Sequence, residues 1–154
     1  MSKLRAGFSL TELLITIAIM GILVSVGYPA YTSYIASAAR ASAQSDLMAV
    51  AAGMERFKAS NFTYSGAAQG GGDTGSPAFF NDWSPSSEPE VNKKYELDIA
   101  SVSASGTSYV LTATPVTGTA SAGDGTLYYY SDGRKAWDSN ANGSISSSEY
   151  CWVC

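Results

Sequence analysis

One stretch limits what this chain can become. Residues 8–26, "FSLTELLITIAIMGILVSV", hold a single charge, Glu12, near the front of an otherwise uncharged and mostly apolar run. As a helix rising about 1.5 Å per residue, the run spans about 28 Å, close to the hydrocarbon thickness of a bilayer. A carboxylate at the centre of such a span costs about 2.5 kcal/mol or more, less near an end, and marks a function whose partner must be named. Lys3 and Arg5 precede the run with no acid beside them, a flank that stays on the cytoplasmic side. A cleaved secretory signal would need a small-residue site after the run. Ala30 and Ala36 sit among Pro29, Tyr31 and Tyr34 and suit that poorly. A plain single-span anchor is the simplest alternative. A buried core helix fits less well, because the run is apolar all round.

The remaining sequence reads as a folded head. Charged residues are 14% and Ser, Thr, Gly and Ala fill the second half, yet aromatic residues at 12% can bury area, which favours a β-rich extracytoplasmic domain over a disordered tail. The absence of His excludes imidazole metal ligands and His-based acid–base catalysis. Net charge is −4, and loss of residues 1–7 with Lys3 and Arg5 makes it −6. Such a surface does not attract nucleic acid non-specifically. Lys93-Lys94 and Arg134-Lys135 are the only adjacent basic pairs of the head, so DNA is the less favoured partner and stays open.

The start of the chain resembles the type IV pilins. "MSKLRAG" is a short basic leader ending at Gly7, "FSLTE" follows with Phe8 and Glu12, and Gly21 and Pro29 in "GILVSVGYPAYTSYI" fall where that family weakens its helix. "AVAAGMERFKASNFTYS" is similar to the family's helix end. The resemblance implies cleavage between Gly7 and Phe8 by a prepilin peptidase, methylation of the new amine, storage in the inner membrane and assembly with other pilin subunits into an extracellular filament. It is strongest toward the E-type minor pilins of Gram-negative bacteria. It also names the cation for Glu12: the amine freed at Phe8, in its own chain or a neighbour. Pairing offsets the desolvation of both charges and leaves misaligned arrangements with one charge bare, so the pair sets register during assembly.

Beyond the apolar run, Leu47, Val50, Met54 and Phe57 form one helical stripe that should pack on a sheet, with the helix ending near residues 59–61. Pro29, helped by Gly21 and Gly27, is expected to kink or locally melt the helix. Tyr28, Tyr31 and Tyr34 suit an interfacial aromatic belt. "SGAAQGGGDTGSP" is loop. Asn61-Phe62-Thr63 matches a glycosylation acceptor by a motif too short to weigh. Tyr95, Leu97 and Ile99 alternate with Glu96, Asp98 and Ala100, and Tyr109, Leu111 and Ala113 alternate with polar or small partners in "SYVLTATP". A third strand is expected at 126–130, a turn at 131–133 and a fourth strand at 134–137.

Two features close the chain. Cys151 and Cys154 in "CWVC" lack the βαβ setting of a redox pair and are too few for a zinc site, so a structural disulfide in an oxidising compartment is expected, within the chain or between subunits. A ring this small should add less than the usual 2–4 kcal/mol. "DSNANGSISSSE" fits the calcium-loop formula: Asp138, Asn140 and Asn142 at positions 1, 3 and 5, Gly143 at the turn, Ser144 through its carbonyl, Glu149 at position 12. The competing reading is a Ser/Asn-rich turn in which Asn142-Gly143 makes a hairpin.

The chain is therefore expected to be α+β: a long N-terminal helix, membrane-spanning then amphipathic, packed on an antiparallel sheet of about four strands. Its segments are a leader (1–7), an apolar helix (8–28), an amphipathic helix (29–60), a variable loop (61–94) and a β region ending in the calcium-like loop and Cys pair (95–154). The function expected is a non-enzymatic type IV pilus subunit serving adhesion, twitching motility or DNA uptake, with Ca²⁺ as a structural ion. The alternatives are a low-copy tip module for adhesion or DNA binding, a type II secretion pseudopilin, and, least favoured, a membrane-tethered thiol oxidoreductase.

Overall fold

The computed structural model describes residues 8–153. The chain divides into two compact units, Met1–Tyr34 and Ile35–Cys154. A single helix, α1 (Leu10–Asn61), contributes to each.

In the first unit the apolar side chains are exposed on every side, and the helix is long and apolar enough to cross a membrane. Its start is capped: the Ser9 hydroxyl accepts the backbone N–H of Glu12 at 3.2 Å, satisfying one of the donors a helix leaves open. The order Ser-x-x-Glu is the sequence form of a capping box. Glu12 also lies in the first turn, where the helix dipole favours negative charge. The helix runs unbroken through Gly21, Gly27 and Pro29. Pro29 has no N–H to give the preceding turn. The Thr32 and Ser33 hydroxyls donate to the carbonyls of Pro29 and Ala30 at 2.9 and 3.0 Å. In the single chain, the softening expected at Gly21 and Pro29 does not interrupt the helix.

The second unit contains the whole described core. Ala39, Ala43, Leu47, Val50, Ala51 and Met54 recur at three- and four-residue steps and are buried as one stripe. Phe57, the fourth residue of the expected stripe, is half-buried against the same core. The partner layer is an antiparallel meander of five strands in chain order: β1 (Trp83–Ser84), β2 (Tyr95–Val102), β3 (Tyr109–Pro115), β4 (Leu127–Tyr130) and β5 (Lys135–Trp137). The fold is thus the expected α+β, with one strand more than the sequence suggested. Strand β1 is two residues long and has no periodicity of its own; pairing of Trp83 with Glu96 and Ser84 with Tyr95 makes it a strand.

The sheet's inner face follows the alternation in the sequence, with one correction. Tyr95, Leu97 and Ile99 are fully buried. A bulge between Ile99 and Ser101 then inserts Ala100 without a partner. The insertion moves the inward phase by one residue, so Val102, opposite Tyr109, packs on the core. Before β1, Gly75 and Ile99 exchange both backbone hydrogen bonds, at 3.0 and 2.9 Å. The 61–94 stretch therefore lies along β2 for part of its length.

Truncating the stripe tests this packing. Leu47→Ala removes a fully buried side chain and should cost about 2–5 kcal/mol in urea unfolding of the head. Met48→Ala, next along the helix and half exposed, should stay within about 0.5 kcal/mol. Equal costs for the two would contradict the packing.

Candidate functional site

Three carboxylates tie α1 to the rest of the head, and none of these ties was legible in the sequence. Asp46, nearly buried, accepts hydrogen bonds from the Ser84 hydroxyl at 2.6 Å, the Ser86 N–H at 3.0 Å and the Ser86 hydroxyl at 2.6 Å. Asp124 is paired with Arg40 at 3.0 Å and accepts the Tyr95 hydroxyl. The Arg40 guanidinium lies 3.8 Å from the centre of the Trp137 ring, whose N–H donates to the Asp124 carbonyl. Burial pushes the Asp124 carboxyl above its ordinary range, against the opposing pull of Tyr95 and Arg40. Glu55 accepts the hydroxyls of Tyr64 at 2.8 Å and Tyr109 at 3.2 Å. Burial, reinforced by Glu55, pushes the Tyr64 hydroxyl up to about 12. Arg40 and Asp46 look from the sequence like ordinary polar positions on a helix, because their partners lie far along the chain.

The C-terminal loop is built around two carboxylates. Asp138, buried, accepts the N–H groups of Asn142 and Gly143 at 3.0 and 2.8 Å. Glu149, also buried, accepts Ser139 N–H and Asn140 Nδ2 through Oε1, and Ser146 N–H and hydroxyl through Oε2, at 2.8–3.1 Å. The Ser146 backbone donor foremost, then its hydroxyl and Ser139, holds the Glu149 carboxyl down to about 2, so it is ionised at neutral pH. The Asn140 and Asn142 side-chain oxygens accept the N–H groups of Asn142 and Ser144 at 3.0 and 2.8 Å. The chain bends by left-handed residues at Ala141 (φ 54°) and Gly143 (φ 79°). No strand follows β5 among the described residues, so Asn142-Gly143 does not form the alternative hairpin. The structure thus brings Asp138, Asn140 and Glu149 into one hydrogen-bonded turn. It gathers no group of three or more His, Cys, Asp or Glu suited to a metal among the described residues.

Two expectations fall at the chain ends. Gly7, half of the expected cleavage site, lies outside the described residues; Phe8, the first described, is exposed. Cys154 also lies outside them, and with it the expected pairing to Cys151. The adjacent basic pairs are partly spent within the head. Lys93 pairs with Glu96 at 2.8 Å and Glu90 at 3.6 Å, and Arg134 with Asp132 at 2.7 Å.

The first unit leaves its apolar side chains exposed, and the second packs its part of the helix on the meander. Residues 2–28 match the prokaryotic N-terminal methylation motif. Residues 29–127 match the family described as type IV minor pilin ComP, DNA uptake sequence receptor. No curated protein and no solved structure matches the chain. The chain belongs to this ComP family of type IV minor pilins and is a subunit of a type IV pilus. The match stops at Leu127, so most of β4, β5, the C-terminal loop and the cysteines lie beyond it.

Proposed function

We propose that this chain is a minor pilin that binds DNA at the cell surface of a Gram-negative bacterium during uptake. The match of the head, and not only of the N-terminal helix, to a family described as a DNA uptake sequence receptor carries this reading. Many filament subunits share an apolar helix with a methylation motif; the head is the part free to meet a ligand. Net acidity argues against broad attraction of DNA, so binding must use a few local contacts. The purified head (residues 35–154), which holds the entire described core, should bind labelled DNA in fluorescence anisotropy at about 50 mM salt, with affinity falling at higher salt by a slope near −2 for roughly two phosphate contacts. Absence of binding at low salt would overturn the receptor reading.

Maturation in this reading follows the leader. A prepilin peptidase cuts between Gly7 and Phe8, the new amine is methylated, and the subunit waits in the inner membrane for its pilin partners, with Glu12 setting register. Gly21 and Pro29 mark where the helix softens during assembly. Cys151 and Cys154 close a ring within the chain. Intact mass of the chain from sheared filaments should equal that of residues 8–154 with one added methyl and two hydrogens fewer. A retained Met1, or two alkylatable thiols, would contradict it.

We further propose a structural calcium ion in the C-terminal loop, held by Asp138, Asn140, Asn142, the Ser144 carbonyl and Glu149. Support comes from the ligand spacing and from the inward turn built on Asp138 and Glu149. With two charged ligands, affinity should fall near the 10⁻⁴–10⁻³ M typical of extracellular modules, roughly. Millimolar calcium should raise the melting temperature of the head and magnesium should not. Asp138→Ala with Glu149→Ala should abolish the shift, and no shift in the wild-type head would sink the proposal.

A further inference from the structure

We propose that a groove beside the C-terminal end of α1 takes an unpaired nucleobase, a proposal that rests on the DNA-binding reading above. The groove has a volume of about 550 Å³ and is lined by Gly53, Arg56, Phe57, Asn61, Phe79 and Phe80, with smaller residues between them. That volume lies within the range of pockets that hold small organic ligands. From Ile35 onward the chain has twelve acidic residues against seven basic ones, yet no acid lines this groove. The carboxylate of the same helical turn, Glu55, is held by Tyr64 and Tyr109 outside the groove lining. The lining thus presents one cation, Arg56, and no acid, which suits a nucleic-acid strand better than the acidic surface around it.

Its walls are aromatic by construction. The Phe79 ring lies against α1 at Gly53, where a Cβ would overlap the ring. Glycine is less favourable than alanine inside a helix, so this position gives up helix stability to admit the ring. Phe57 stands 6.4 Å away, tilted by 32°. Phe79 keeps 36% of its surface in solvent. Arg56 donates from Nε to the Ala52 carbonyl at 3.2 Å, which steadies the guanidinium, and it enters no ion pair among the described residues. Asn61 donates Nδ2 to the Phe57 carbonyl at 2.9 Å, which leaves its side-chain oxygen as an acceptor. Phenyl faces stack on any base, and a guanidinium beside them meets the phosphate or the π-face. A base inside a duplex hides both its faces, so the occupant is a base in a single strand or an overhang.

Anisotropy with single-stranded oligonucleotides and with a blunt duplex of equal length, using the head, tests this. Single strands should bind tighter than the duplex. Arg56→Gln and Phe79→Ala should each weaken single-strand binding about tenfold, whereas Lys135→Ala on β5 should not. Arg56→Gln alters an exposed side chain and keeps the fold, and unchanged melting temperatures confirm that both variants are folded. Wild-type binding that both variants retain, or a preference for the duplex, overturns the groove and leaves the receptor reading standing. No DNA binding by the wild type removes the receptor reading and the groove with it.

Discussion

Burial of a narrow stripe of α1 against the meander is the interaction on which the rest of the head depends. Ala39, Ala43, Leu47, Val50 and Met54 make that stripe, and Tyr95, Leu97, Ile99, Leu111 and Leu127 receive it. Alanine at two of these positions leaves room for the facing side chains, and Leu47, Val50 and Met54 fill the remaining depth. A single helix also serves two solvents. Its first unit must satisfy every backbone group internally, as a bilayer demands, and shows no buried face. Its second unit can be half polar, and each of its inward carboxylates meets a partner from a loop or strand. Asp46, Glu55 and the Arg40–Asp124 pair are the polar counterpart of the apolar stripe, since each brings a distant segment to the helix.

Much of this was readable residue by residue. The stripe at Leu47, Val50 and Met54 and the alternation at Tyr95, Leu97 and Ile99 follow from periods of 3.6 and 2, which no tertiary contact disturbs. The bulge at Ala100 was invisible, because an extra residue only shows against its partner strand. Strand β1 was missed for a related reason: two residues carry no period, and the neighbouring strand decides their conformation. The polar ties needed knowledge of which distant segments meet. The Ser9 cap on Glu12 is local and stands in the sequence as a Ser-x-x-Glu pattern.

The C-terminal loop was legible in outline. Spacing alone placed Asp138 and Glu149 at its two ends, and both are buried and hydrogen-bonded. The left-handed turn at Gly143 follows from its residue type; the one at Ala141 does not, since alanine rarely adopts it. The groove at Gly53 was hidden because a helical glycine looks like a weak point until the Phe79 ring lying on it is seen.

The run of chain before β2 has a consequence for how copies of this molecule can meet. Gly75 and Asp82 take the outward N–H groups of Ile99 and Leu97, and β1 covers the end of the same strand. At the opposite margin β5 is three residues long and begins with Lys135. Long unpaired margins recruit strands from other molecules, and short, charged or covered ones refuse them. Subunits that gather into a filament bring many sheets close together, where open margins could pair. Here that route is closed on one side and cut short on the other, so the sheet leaves little open margin for a second copy to extend.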